Sequence, residues 1–172
     1  MMQFTGNNGK QAELASGTAG DVLDALGMKK GAIAAKIDGC AVDLSRVVER
    51  GGEAAPILPE SDEGLDILRH SAAHLMAQAV AQMYPGTRYG VGPAIKDGFY
   101  YDMEIPGGIT EEDLPKIEKE MHRIAKRSVP VERRVLSKAE ALEWFKAKND
   151  PYKVEIISEL EDETVTLYVQ GE

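Results

Sequence analysis

Residues 59–86 read PESDEGLDILRHSAAHLMAQAVAQMYPG. The opening PESDEG is rich in Pro, Gly and acidic side chains, the composition of a joint between separately packed units. A long helical pattern follows from Leu65 to Met83 and stops at Tyr84-Pro85-Gly86. The chain changes character across this stretch, so a boundary is expected within residues 59–64, dividing it into 1–62 and 63–172. Wound at about 100° per residue, Leu65, Leu68, Ala72, Leu75, Met76, Ala79 and Met83 share one side, which is the expected core stripe. His70 and His74 lie almost opposite, among Ile67, Ala77, Gln78 and Ala81 instead of Lys and Glu. That second face is therefore expected to be covered as well.

Upstream of the joint the residues suggest small strands around one helix. Thr18 can cap TAGDVLDALGM, where Val22, Leu23 and Leu26 recur at helical spacing and Gly27 offers a stop. GAIAAKIDGCAVDLSRVV then reads as a hairpin, because Asp38-Gly39 between short apolar runs supplies the positive-φ residues that a tight turn needs. Ile57-Leu58 can close the unit as a last short strand.

Downstream, Gly90, Gly92 and Gly98 punctuate short strands around GPAIKDGFYYDMEI, which reads as an antiparallel hairpin with Phe99, Tyr100 and Tyr101 in an extended run. ITEEDLPKIEKEMHRIAKRS is a helix with Thr110 and Asp113 in capping-box spacing, acidic at its start and basic at its end, as the helix dipole favours. Val129–Leu136 is an expected strand, SKAEALEWFKAK a helix capped by Ser137, and YKVEIISEL and ETVTLYVQG two further strands. The fold class is α+β: a β-rich module with one helix, then an α+β domain with an antiparallel sheet and flanking helices. The second domain stops at Glu172 just after a strand, so truncation is expected.

The composition is that of a globular chain: 172 residues, 43% hydrophobic and 28% charged. No apolar run approaches the roughly 18 residues of a membrane span, and no signal-peptide pattern opens the chain, so a cytoplasmic location without membrane contact is expected. Cys40 is the sole cysteine, which excludes an internal disulfide and a thiolate metal cage. The net charge of −9 argues against an autonomous nucleic-acid binder. Lys116–Arg134 is the basic exception, with seven Lys or Arg against three Glu; an exposed helix face and an RNA contact are its two readings.

Histidines at i and i+4 point the same way, so their rings can converge on one ligand, water or metal. Packed rings satisfied by a hydrogen bond are the competing reading. Metalloprotease chemistry is absent, because Ser71 stands where H-E-x-x-H has its glutamate. Zinc would need another ligand, for which only His122, Cys40 and carboxylates are available, and no metal is assigned. A hydrolytic role is the other alternative: two histidines positioning a water against an activated ester.

The stretches AKIDGCAVDLS (35–45), LRHSAAHLMAQAVAQMYPG (68–86), VGPAIKDGFYYD (91–102), EEDLPKIEKEMHRIA (111–125) and DPYKVEII (150–157) closely resemble the N-terminal region of bacterial threonyl-tRNA synthetases, in order and spacing. The resemblance implies that residues 1–62 are a TGS domain, a ubiquitin-like β-grasp module. It implies that residues 63–172 begin the editing domain, which hydrolyses serine from wrongly charged threonine tRNA. His70 and His74 would then be the catalytic pair and Tyr101 and Lys153 substrate-binding residues; Ala72 stands where some relatives have a cysteine. A second pair, C-x-x-x-H, would follow beyond Glu172, so half the site is expected here and the piece alone is expected to be inactive or very weak. The resemblance further implies threonine tRNA, through its aminoacylated 3′ end, and the rest of the synthetase as partners, with a homodimeric full-length protein. No cofactor is expected within these residues; ATP, magnesium and zinc belong to the family's catalytic domain. The alternative function is a TGS module that docks RNA or protein without catalysis.

Overall fold

The computed structural model describes residues 1–170. The chain divides into two compact units, Met1–Leu68 and Arg69 onward.

The first unit contains β1 (Met2–Gly6), β2 (Gln11–Leu14), α1 (Ala19–Ala25), β3 (Ala34–Ile37), β4 (Cys40–Val42) and β5 (Gly52–Ile57). They form one sheet in the order β2-β1-β5-β3-β4, with β1 and β5 parallel and every other pairing antiparallel. A mixed sheet carrying one helix is the β-grasp arrangement expected above. Thr18 caps α1 reciprocally: its hydroxyl accepts from the Asp21 amide at 3.2 Å, and the Asp21 carboxylate accepts from the Thr18 amide at 2.8 Å. The Asp38-Gly39 turn has φ of 48° and 81°, the two positive values of the tight hairpin turn, and it sets Ile37 opposite Cys40. Phe4 from β1, Val22, Leu23 and Leu26 from the α1 segment, and Ala35 and Ala54 from the sheet close the core. Cys40 is exposed.

α2 (Asp62–Met83) opens with the Ser61 hydroxyl accepting from the Gly64 amide at 3.0 Å. In the second unit it is followed by β6 (Arg88–Tyr89), β7 (Ala94–Ile95), β8 (Gly98–Phe99) and β9 (Met103–Glu104), then α3 (Leu114–Lys126), β10 (Val131–Ser137), α4 (Lys138–Ala147), α5 (Pro151–Glu159) and β11 (Thr164–Gln170). Antiparallel pairing is present as expected, distributed over three separate two-stranded ladders: β6 with β9, β7 with β8, and β10 with β11. The Gly171 end of the last expected strand lies outside the described residues. Ala79 and Val80 of α2 pack on Ile117 and Ile124 of α3, with Leu75, Met76, Met83, Met103 and Met121 around them. The expected capping boxes at Thr110/Asp113 and Ser137/Glu140 form, the acid accepting from the capping amide at 3.0 Å and 2.8 Å respectively.

Three expectations need correction. YKVEIISEL is the helix α5, because Asp150-Pro151 supplies an N-cap and a first-turn proline, and Val154 and Ile157 then turn inward at helical spacing. Its β-branched residues resemble a strand only when that start signal is ignored. Leu65 and Leu68 are exposed at 36% and 42%, so the buried stripe of α2 begins only at Ala73. The opposite face is covered only in part: Ile67, Ala77 and Gln78 are half-buried, while His70, His74 and Ala81 are exposed.

Candidate functional site

One turn of α2 separates His70 from His74, and their Nε2 atoms meet at 3.0 Å with ring centroids 4.6 Å apart and planes at 73°. Two N–H groups cannot face each other at that distance, so one ring donates and the other presents a lone pair. Which ring donates is a matter of tautomer. Partial desolvation, reinforced by the neighbouring His70 ring and then the Lys153 ammonium, holds His74 below the ordinary imidazole value. A neutral imidazole is the form that can accept a proton.

The Lys153 ammonium comes from the first turn of α5, whose start is fixed by the Asp150 carboxylate accepting from the Lys153 amide at 3.1 Å. Its Nζ donates to the Gly90 carbonyl at 2.8 Å and lies 5.9 Å from the centre of the Tyr101 ring. Burial lowers its pKa, and the Asp150 charge opposes that shift. Tyr101 is half-buried, its phenol pushed up first by burial and then by Asp150. A Cβ at Gly92 would overlap the Tyr101 ring, so glycine there makes room for the aromatic face.

The four residues singled out from sequence therefore share one neighbourhood of the second unit. His74 is linked electrostatically to Lys153, and Lys153 stacks over Tyr101. Among the described residues no third His, Cys, Asp or Glu joins the histidines in a metal-binding group. His122 lies elsewhere, exposed on α3 and 4.0 Å from Glu118. A cavity of about 340 Å³ walled by Asp102, Glu104, Tyr152 and Glu155 adjoins the Lys153 anchor through Gly90 but includes neither histidine.

No family model matches the chain. Over its whole length it is 45% identical to a protein of Halalkalibacterium halodurans, 28% of which it covers, and that protein is a threonine–tRNA ligase. The chain matches part of the threonine–tRNA ligase sequence. The same holds for the threonine–tRNA ligase of Rubrobacter xylanophilus, at 45% identity with 96% of the chain and 26% of the relative covered. That of Listeria monocytogenes serotype 4a is 48% identical over 85% of the chain and 23% of the relative. The chain thus spans about a quarter of the length of the threonine–tRNA ligases it matches.

Sequence reasoning gave no role to Tyr89 or Asp150, and it read Gly90 only as punctuation between strands. Tyr89 stacks edge-on against Tyr101 at 5.9 Å and donates to the Ala77 carbonyl of α2 at 3.2 Å, and burial pushes its phenol up to about 12. The tyrosine lies twelve residues from its partner on either side, and no local pattern signals the contact. Asp150 was legible as an N-cap through Asp150-Pro151. Gln78, one turn beyond His74, donates weakly to the Gln170 carbonyl at 3.4 Å, and its Oε1 is buried without a partner among the described residues.

Proposed function

We propose that this chain is the N-terminal part of a threonine–tRNA ligase and that its second unit carries half of a site that hydrolyses serine from mischarged threonine tRNA. The observation that carries the reading is the His70–His74 contact of 3.0 Å, open to solvent on one helix face, with Lys153 and Tyr101 grouped beside it. The chemical need is plain. A site that selects threonine gains only about 1–3 kcal/mol from one methyl group, so a second, hydrolytic site is required to reject serine.

In this reading the 3′ end of the tRNA brings its aminoacyl ester to the histidine face. An ester is already activated, so a positioned water suffices as nucleophile and no covalent intermediate on the protein is required. The imidazole pair orients that water or the terminal ribose and can accept a proton as the water attacks. Lys153, anchored by Gly90, and Tyr101 hold the substrate. The openness of the histidine face fits a pocket whose opposite wall, the C-x-x-x-H pair of the resemblance, comes from outside these residues.

The test is deacylation of serine-charged threonine tRNA by the chain extended through that second pair. Replacing both His70 and His74 with alanine is expected to lower the rate by about 100-fold or more, the usual contribution of positioned acid–base groups. Unchanged turnover would remove these histidines from the mechanism, and robust turnover by the 172-residue chain alone would contradict the half-site reading.

A further inference from the structure

We propose that Tyr89 is a positioning residue of the histidine site: its phenol ties β6 to α2 and so holds Lys153 and Tyr101 in place beside His70 and His74. The kinetic consequence rests on the hydrolytic reading above, whereas the contacts stand without it.

Two consecutive residues, Tyr89 at the end of β6 and Gly90 after it, grip both sides of the site. The Tyr89 hydroxyl donates to the Ala77 carbonyl of α2 at 3.2 Å, and the Gly90 carbonyl accepts from the Lys153 ammonium of α5 at 2.8 Å. Ala77 lies three residues beyond His74 and seven beyond His70, on the same side of the helix. The Tyr89 ring meets the Tyr101 ring edge-on, with centroids 5.9 Å apart and planes at 83°. That same Tyr101 ring has the Lys153 ammonium 5.9 Å from its centre. The ladder that carries Tyr89 is itself anchored, because Tyr89 pairs with Met103 and Met103 packs on the α2–α3 core.

The hydroxyl adds what packing alone does not. A phenylalanine could make the same edge-on contact with Tyr101, but it would lack the directional bond that fixes β6 along α2. A helix carbonyl keeps a second lone pair after serving its own turn, so Ala77 accepts from Tyr89 without giving up its helical partner. Burial pushes the phenol up to about 12, which keeps the hydroxyl a donor across the neutral range. Moving β6 would move Gly90, and with it the anchor of Lys153. A displacement of about 1 Å at a reacting group costs on the order of 100-fold in rate. Tyr89 therefore acts through Lys153 and Tyr101, not on the ester itself.

The test has a spectroscopic arm and a kinetic arm. In the 172-residue chain, NMR reads the shifts of the Lys153 side-chain methylenes, which the Tyr101 ring current displaces, and Tyr101→Leu gives their values without the ring. Tyr89→Phe should carry them part of the way to those values, and unchanged shifts would overturn the proposal. In the chain extended through the C-x-x-x-H pair, Tyr89→Phe should lower kcat for deacylation of serine-charged tRNA about three- to tenfold, the worth of one hydrogen bond, with KM nearly unchanged. Tyr89→Leu also loses the ring contact and should lower kcat further, by up to about 100-fold. In a Lys153→Met background the kcat loss from Tyr89→Phe should largely disappear, while its effect on the urea midpoint persists. Equal kcat losses in both backgrounds would assign Tyr89 to folding alone and overturn the proposal, as would parental kcat in Tyr89→Phe beside a slow Lys153→Met. Parental rates in both Lys153→Met and the His70→Ala/His74→Ala double variant would instead remove the hydrolytic reading, and the Lys153 shifts would then decide by themselves whether Tyr89 places that lysine. Circular dichroism checks that each variant remains folded.

Discussion

Lys153 sits over Tyr101, its ammonium 5.9 Å from the ring centre while the Gly90 carbonyl accepts from it at 2.8 Å. The contact ties α5 to the loop between β6 and β7. A charged donor held this way contributes about 1.5–3 kcal/mol when it binds a substrate group. Lys153→Met in the extended chain should therefore lower kcat/KM for deacylation of serine-charged tRNA by about 10–150-fold. Steady-state kinetics checks this, and a loss below threefold would separate Lys153 from the substrate.

Asp150 controls the same lysine in two ways that substitution can separate. Asp150→Ala removes the α5 cap and should cost about 0.5–2 kcal/mol in urea denaturation. Asp150→Asn keeps a capping side chain but deletes the charge that holds the Lys153 and Tyr101 pKa values up. Both groups should then titrate lower than in the parent chain, which NMR titration reads directly. A Lys153 pKa that stays put or rises would contradict the assigned coupling.

His74 provides a pH dependence with a definite sign. Its folded imidazole titrates below the ordinary 6.5, so the unfolded chain binds the proton more readily. Stability should fall as pH drops from above 6.5 toward the folded value and level off beneath it. His74→Gln should flatten that part of the curve. Urea midpoints measured across the window check the slope, and an unchanged slope in the variant would assign it to other groups.

Gly92 leaves room for the Tyr101 ring, and the overlap is with ring atoms close to the backbone. Gly92→Ala should destabilise the chain by about 1–3 kcal/mol through overpacking. Truncating the ring relieves the clash, so the cost of Gly92→Ala should largely vanish in a Tyr101→Ala background. A double-mutant cycle measures this coupling, and additive effects would show that the strain lies elsewhere.

Local chemistry made much of the fold legible. The boxes Thr18/Asp21, Thr110/Asp113 and Ser137/Glu140 lie within one helical turn, and the Asp38-Gly39 turn needs only its own two residues. In each case the sequence contains all the atoms that decide the outcome. The β-branched residues of YKVEIISEL suggest a strand, but the Asp150-Pro151 start signal makes it α5. Leu65 and Leu68 were misplaced because periodicity gives the angular spacing of a stripe but not how far along a helix the covering partner extends.

The sequence by itself determined the helix, the Asp38-Gly39 hairpin and the closing strand of the first unit, the long helix α2, and the placement of two imidazoles on one helix face. Spacing of four residues on an α-helix leaves no other outcome. Tertiary structure alone decided that Lys153 and Tyr101, 52 residues apart in sequence, would stack beside those histidines, that Tyr89 would brace Tyr101, and that the imidazole face would stand open. These depend on which surfaces meet when α5 and the β6–β9 segment pack. Packing is a property of pairs of distant residues, and no local pattern encodes it.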